Sequence, residues 1–424
     1  MRTAKWLIYT LAMLAVGVAW AAVVAVGALN GWLRTPIAAR DDPAAFMRAV
    51  AAQVAQSTAG DCVVLLLRGG RPAKLFSHSV SVPVDADSIF QAASISKWLT
   101  AWGVLRLVEA GRVDLDAPVD RYLRRWHLPP SNFDNRQVTV RRLLSHTAGL
   151  GDRLGFLGFP PGATPPSIVE ELQRPRDGMP GTAAISLVRE PGSRWQYSGG
   201  GYLLLQLLIE DVSHERFSDY MRSEVLLPLG LRSSSFDASA IPTRSLAPVF
   251  DEQRRPATRY RFTAVAAASV YTSASDLARF ALAHAPGPRG EAPGRSVLRP
   301  ATVRLMATPA VTLYGLGSWG LGVRTHVRSA SGHYVFGHDG NNFPALHHAV
   351  RIDADTGDGI VVLGSGDNEL AARLAEAWVF WHTGRGDLDT LRLNLPTVGF
   401  ILLIGWVGSI CIVIALARRR HRRA

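Results

Sequence analysis

The sequence predicts a mixed α/β fold of the α+β type. One antiparallel sheet is built from N- and C-terminal segments and flanked by helices, with an inserted mainly helical lobe and two transmembrane helices outside it. Three observations predict this. Strand-like runs cluster at 61–80 and again at 334–363. The stretch between them reads as helix and loop. Apolar runs at 6–29 and 395–417 are each long enough to cross about 30 Å of hydrocarbon at about 1.5 Å per residue.

In chain order, Trp6–Leu29 is apolar apart from Tyr9 and Thr10 and follows Arg2 and Lys5. A signal peptide is the alternative, with Ala19-Trp20-Ala21 as a small-x-small site. Signal h-regions usually run to about 7–15 residues, and the greater length here favours an uncleaved anchor over residues 1–30. Asp41–Ala55 predicts a helix with Asp41 or Asp42 as cap and Pro43 in its first turn. Asp61–Arg68 and Ala73–Val80 flank Gly69-Gly70, a hairpin signal. Within Phe90–Ala110, Ile95, Leu99, Trp102, Leu105 and Val108 recur at three- and four-residue steps, which predicts an amphipathic helix stopped by Gly111. Val138–Leu150 predicts a short helix ended by Gly149. Residues 151–193 are rich in Pro and Gly and predict a lid or rim loop with Phe156, Leu157 and Phe159 exposed. Alternation returns at Tyr334–Gly337, Ala345–Ile352 and Gly359–Leu363, and Glu369–Trp381 predicts a helix. The second span, Leu395–Ala417, runs into the basic tail 418–424, which the positive-inside rule keeps in the cytoplasm. Two spans return the chain to its starting side, so both termini are expected to be cytoplasmic and residues 31–394 to face outward.

Composition narrows the function. A chain of 424 residues that is 48% hydrophobic can bury one large core or two moderate ones. Of the net charge of +12, Arg2, Lys5 and arginines 418, 419, 420, 422 and 423 supply seven with no acid nearby, leaving +5 for residues 6–417. With no RNP, zinc-finger or helix-turn-helix pattern beside it, that charge gives no support for a nucleic-acid partner. Cys62 lies in a strand-like run and Cys411 in the second span, so no disulfide is expected. There is no Cys-x-x-Cys and no His-Glu-x-x-His, so neither a metal nor another cofactor is expected. Gly-x-Ser-x-Gly is absent as well, which disfavours an α/β-hydrolase.

Three stretches carry chemistry. Ser94 and Lys97 open the 90–110 helix three residues apart, so one turn puts hydroxyl and amine on the same face. A serine becomes a nucleophile when a neighbour takes its proton, and a lysine shielded from water can do so. With 30 serines and three lysines, about 0.2 Ser-x-x-Lys pairs arise by chance, so the pattern alone is also compatible with an N-cap beside a solvated lysine. The retained lysine is informative, because nearly all of the 46 basic residues are arginine and arginine cannot accept a proton. Second, Tyr197 sits on a glycine-rich turn (Trp195-Gln-Tyr-Ser-Gly-Gly-Gly201) before an apolar helix, where the glycines allow the close backbone approach of a cleft. By itself it also reads as a core tyrosine. Third, Phe336-Gly-His338-Asp-Gly340-Asn-Asn342 ends one strand and starts the next. There a glycine lets an extended substrate lie along the strand and the histidine can place positive charge or a hydrogen bond beside it. Alone, it reads equally as a surface turn.

Taken together in this order, the stretches resemble the serine β-lactamase and penicillin-binding-protein superfamily, in particular its class C-like branch of β-lactamase-related serine hydrolases. Ser94-Ile-Ser-Lys97 is similar to the first family motif. Tyr197-Ser-Gly199 stands where the family has Tyr-x-Asn, and His338-Asp-Gly340 where it has Lys-Thr-Gly or His-x-Gly. Leu115–Leu123, Leu143–Leu150 and Thr272–Phe280 look similar as well, and the resemblance covers roughly residues 42–384. It implies acyl transfer in a bacterial envelope without a cofactor. Ser94 would attack a carbonyl while Lys97 and Tyr197 manage its proton. The backbone N–H groups of Ser94 and Asn341 would form an oxyanion hole, with His338, Gly340 and Gly199 lining the substrate. The implied partners are a small-molecule or peptide substrate and the membrane. The implied substrate is a cell-wall D-amino-acid peptide, a carboxyl ester or a β-lactam. Two departures bear on it. Gly199 has no amide to offer, and His338 replaces a fixed cation with a group that titrates near 6.5 when unperturbed. Both weaken recognition of a carboxylate-bearing amide such as a β-lactam. The alternative is a non-catalytic envelope protein of the same fold that binds peptidoglycan or a membrane partner.

Overall fold

A computed structural model of the protein describes residues 2–421 except 152–154, 179–183, 314–315, 343–344, 388–389, 391 and 393–394. The chain divides into two compact units, 41–378 and 1–40 together with 379–424.

The larger unit is organised on an antiparallel sheet. The strands are β1 (Cys62–Arg68), β2 (Arg71–His78), β3 (Ile89–Gln91), β4 (Tyr271–Ser273), β5 (Val311–Leu313), β6 (Leu316–Trp319), β7 (Arg324–Arg328), β8 (Tyr334–Asn342), β9 (Leu346–Asp353) and β10 (Asp358–Ser365). Eight form one sheet in the order β2-β1-β10-β9-β8-β7-β6-β5, so the N-terminal hairpin joins the C-terminal meander where Leu65 faces Val361. The strands β3 and β4 pair separately. β1 is buried on both faces: Val63, Leu65 and Leu67 enter the main core while Val64 and Leu66 are buried on the opposite side.

The helices are α1 (Arg2–Leu29), α2 (Pro43–Ala55), α3 (Ile95–Glu109), α4 (Val140–Leu144), α5 (Ile168–Gln173), α6 (Gly199–Ser213), α7 (Phe217–Met221), α8 (Val265–Ala268), α9 (Ala274–Leu282), α10 (Pro300–Ala307), α11 (Leu370–Thr383) and α12 (Leu395–His421). α2 starts as its sequence predicts, with Asp42 Oδ1 accepting Ala45 N–H at 2.8 Å. α9 lies against β1, β9 and β10, and α3 lies between β8 and the helices α6 and α8. α3 is therefore a core helix. Every residue from Ile95 to Leu105 is buried, and the one-sided amphipathic pattern expected for it is too narrow. Two indole N–H groups on it, from Trp98 and Trp102, both donate to Nε2 of His284 at 3.1 and 3.0 Å.

Several local expectations need correction. The helix expected over 138–150 ends at Leu144, because Ser145 leaves helical geometry and His146 takes φ 58°. In the rim segment, Phe159 is buried and Phe156 packs on the core; Leu157 alone of the three is exposed. The stretch 336–342 is no turn: β8 runs through it, with His338 opposite Val350 and Gly340 opposite His348. In the smaller unit, α1 and α12 are long and apolar enough to cross a bilayer, over Thr10–Leu29 and Leu395–Ala415. Trp20 Nε1–H donates to Ile401 O and Trp406 Nε1–H to Gly17 O, both at 3.3 Å, so the two helices pair. Cys62 and Cys411 are both free.

Candidate active site

The chain approaches α3 through a forced bend. Ala93 sits at φ 50°, a left-handed conformation that costs a residue with a Cβ roughly 1–3 kcal/mol unless its surroundings impose it. They do. Ser96 Oγ donates to Ala93 O at 2.6 Å and accepts Val270 N–H at 2.8 Å, and Ala92 N donates to Val270 O at 2.7 Å. On the sheet side, His348 accepts Gly364 N–H on Nδ1 at 3.2 Å, so its Nε2–H donates to Gln91 O at 2.9 Å. Gly340 is required here because Ala92 O stands where a Cβ would be. The bend presents Ser94 at the first turn of α3, half-buried, with its hydroxyl making no capping bond.

Lys97, 2% exposed, lies one turn on. Its Nζ donates to Ser94 Oγ at 3.2 Å and to Ala267 O at 2.7 Å. It stands 4.8 Å from the centroid of the Tyr197 ring and 5.6 Å from that of Tyr202. The carbonyl it uses is itself fixed. Thr100 Oγ1 donates to Ala266 O, Ala266 N donates to Gln206 Oε1, and Asn342 Nδ2 donates to Ala268 O.

Tyr197 reaches the lysine from an extended segment. Ser198 has φ −141° and ψ 118°, so residues 197 and 199 project to the same side, while Ser198 Oγ caps α6 by accepting Gly201 N–H at 2.8 Å. His146 supports the tyrosine. Its Nδ1 accepts Ser198 N–H at 3.1 Å, its carbonyl accepts Gln196 N–H at 2.8 Å, and its ring lies 4.4 Å from that of Tyr197. Trp319 closes the cluster, 4.9 Å from His146 and 5.7 Å from Tyr197, centroid to centroid.

His338 projects from β8, 6.4 Å from Tyr197 and 5.4 Å from Trp319 by ring centroids, and is 2% exposed. Burial first, and the positive Lys97 second, push its pKa down to about 3. The histidine is therefore neutral near pH 7, and of the charge or hydrogen bond expected of it the hydrogen bond is what this ring offers. Its Nδ1–H donates to Asp339 O at 2.6 Å, which leaves Nε2 as a buried lone pair without a hydrogen-bond partner. Burial raises the Asp339 carboxyl, but Arg351, bonded to it at 2.6 Å, outweighs this and holds it at about 2. Asn341 is exposed, and its Oδ1 accepts from His347 Nδ1 at 3.0 Å.

Gly199 occupies the first residue of α6. A Cβ there would stand 2.8 Å from Gly155 Cα and 3.2 Å from the Phe156 ring. The space an asparagine would use is filled by an aromatic from the rim.

The structure thus gathers Ser94, Lys97, Tyr197 and His338, with Gly340 and Gly199 as the backbone that lets neighbours close on them. The sequence does not single out His146, Trp319 or the Ala267 carbonyl, and it places Phe156 on an exposed rim rather than over Gly199. His146 lies inside the Leu143–Leu150 stretch, the one signal for those three.

An eight-stranded antiparallel sheet with a helical lobe and a Ser-x-x-Lys turn between them defines a penicillin-binding-protein-like architecture of the serine-hydrolase class. The chain belongs to the Beta-lactamase family, whose model matches residues 46–382. Among curated relatives, it is 33% identical to Penicillin-binding protein 4* of Bacillus subtilis over 36% of this chain and 31% of that one. It is also 33% identical to Esterase EstB of Burkholderia gladioli over 41% and 45%. The matched region therefore spans less than half the length of either relative. Among solved structures, the penicillin-binding protein homologue from Pyrococcus abyssi superimposes with TM-score 0.65 at 22% identity, covering 83% of this chain and 76% of that one. The D-amino acid amidase from Ochrobactrum anthropi gives 0.62 at 21% identity, covering 82% and 99%.

Proposed function

We propose that the protein is a serine hydrolase, anchored by two spans in a bacterial cytoplasmic membrane with its catalytic unit outside, that cleaves an amide or ester through an acyl-enzyme. The observation that carries this reading is the Ser94–Lys97 pair, 3.2 Å apart, with the amine buried and oriented by the Ala267 carbonyl. In the neutral amine state Lys97 takes the Ser94 proton as Oγ attacks the carbonyl carbon, and Tyr197, stacked beside Nζ, shares that proton. The oxyanion forms against the N–H groups of Ser94 and Asn341, each such donor lowering the barrier by about 2.7–4 kcal/mol. Collapse breaks the bond to the leaving group, which departs with the proton. Water, deprotonated by the same pair, then attacks the acyl carbon and frees Ser94.

The anchoring rests on α1 and α12, and the relatives named as penicillin-binding proteins support an envelope location. Cell-wall D-amino-acid peptides, carboxyl esters and β-lactams are the substrate candidates within this reading. The names of the esterase and the D-amino acid amidase support the first two.

The test is covalent labelling of the full-length protein with a fluorophosphonate and with a penicillin probe. A mass increase on Ser94, lost in Ser94→Ala, is expected. Lys97→Arg keeps the charge without a proton acceptor, so it should fold and fail to label. No labelling of folded protein by either probe would overturn the reading in favour of a binding protein of the same fold.

A further inference from the structure

We propose that Phe156 is a specificity-determining residue that makes the cleft beside Ser94 select substrates with a compact apolar acyl side chain and no carboxylate next to the scissile bond. The inference deepens the serine-hydrolase reading and rests on it. Residues 197 and 199 project to the same side of the extended segment, so whatever stands over Gly199 also borders the Tyr197 side of the cleft. What stands there is the Phe156 ring, 3.2 and 3.3 Å from the position a Cβ would take. With Gly199 bare, residue 199 offers no side-chain hydrogen bond to a polar acyl substituent, and the ring offers an apolar surface in its place.

Phe156 is also held. Leu157 N donates to Asp177 O at 2.7 Å, Gly158 N donates to Asp177 Oδ2 at 2.9 Å, and Phe159 pairs with Arg261 through both backbone bonds. Gly158 lies so close to Phe262 and Tyr260 that a side chain there would meet them at 2.7–2.8 Å, which seats the segment on the helical lobe. His338, whose ring lies 6.4 Å from that of Tyr197, keeps a buried Nε2 lone pair without a hydrogen-bond partner, an acceptor that pairs with a donor and repels a carboxylate. An apolar ring beside Gly199 and an anion-averse acceptor near Tyr197 suit an uncharged ester or amide.

The experiment compares kcat/KM of the full-length protein on p-nitrophenyl acetate, on p-nitrophenyl butyrate, and on an N-acylated D-Ala-D-Ala peptide with its C-terminal carboxylate either free or amidated. The wild type should prefer butyrate to acetate, and the amidated peptide to the free acid, by about tenfold or more. Phe156→Ala should flatten the butyrate-to-acetate ratio by about tenfold, and Phe156→Leu, which keeps an apolar filling, should preserve it. Fluorophosphonate labelling of Ser94 is recorded in parallel for all three proteins. Labelling with equal turnover of the free-acid and amidated peptides, or with an unchanged butyrate-to-acetate ratio in Phe156→Ala, overturns this proposal and leaves the serine-hydrolase reading standing. Loss of labelling in the wild type overturns both.

Discussion

His146 shows how a residue that never touches the nucleophile can govern the site. It accepts Ser198 N–H on Nδ1, so the neutral ring carries its proton on Nε2. Burial first, then the charge of Lys97, hold its pKa well below 6.5, so the acceptor persists throughout the neutral range. Removing the ring deletes both the stack under Tyr197 and the acceptor that fixes the segment behind it. His146→Ala should lower kcat by about 100-fold, the usual penalty for misplacing a reacting group by about 1 Å, with KM little changed. His146→Asn, whose amide oxygen can accept the same N–H, should recover part of it. Steady-state kinetics on a p-nitrophenyl ester decide the matter, and an unimpaired His146→Ala would end this account. Ser94 and Lys97 were legible in the sequence because three residues make one helical turn. His146 and Trp319 were not, and Phe156 was legible only as part of a rim, because all three reach the site through contacts between segments far apart in the chain.

Elements were readable where one periodicity dominated. α2, the β1–β2 hairpin and α11 appear where the residue pattern puts them. Strands β5–β7 were invisible because they run to only three, four and five residues, too short to show an alternation, and β3 and β4 are three residues each. α3 was recognised as a helix but not as a buried one, since enclosure on every side is imposed by neighbours rather than by its own pattern. The paired helices α1 and α12 give the element-scale prediction. Trp20 packs on Gly405, and Trp406 stacks toward Gly17, where a Cβ would stand 3.6 Å from its ring nitrogen. Small residues opposite large ones let two apolar helices approach closely, as in membrane helix pairs. If both cross the bilayer, the arginines that follow the apolar span of α12 stay on the side where Arg2 and Lys5 begin. A cytoplasm-dependent fluorescent reporter fused after Ala424 should therefore be active, and an export-dependent phosphatase at the same site inactive. The reverse pattern would reject the two-span topology.

At the scale of the whole molecule, buried imidazoles set the response to acid. His284, His338 and His348 are pushed down to about 3 and His347 to about 4, in each case chiefly by burial, and His146 lies well below its usual value. Each has a folded pKa below the unfolded value near 6.5. Its contribution to stability is thus complete above pH 6.5 and is lost as pH falls toward the folded values, because only the unfolded chain takes up the proton. Within that window each such proton steepens the fall by about 1.4 kcal/mol per pH unit. Two carboxyls act in the opposite sense. Burial raises Asp61, and burial together with the neighbouring Glu171 raises Asp177 to about 8. Those two stabilise the fold as pH falls toward their unfolded values, but five histidines against two carboxyls leave the imidazoles in command. His284 makes the consequence structural, since protonating its Nε2 would remove the acceptor shared by Trp98 and Trp102 behind the nucleophile's helix. The urea midpoint of the detergent-solubilised protein should accordingly fall steadily between pH 7 and pH 5 at constant ionic strength. A midpoint that holds or rises across that interval would mean the rings are already charged in the folded protein, and the neutral His338 acceptor near Tyr197 would go with them.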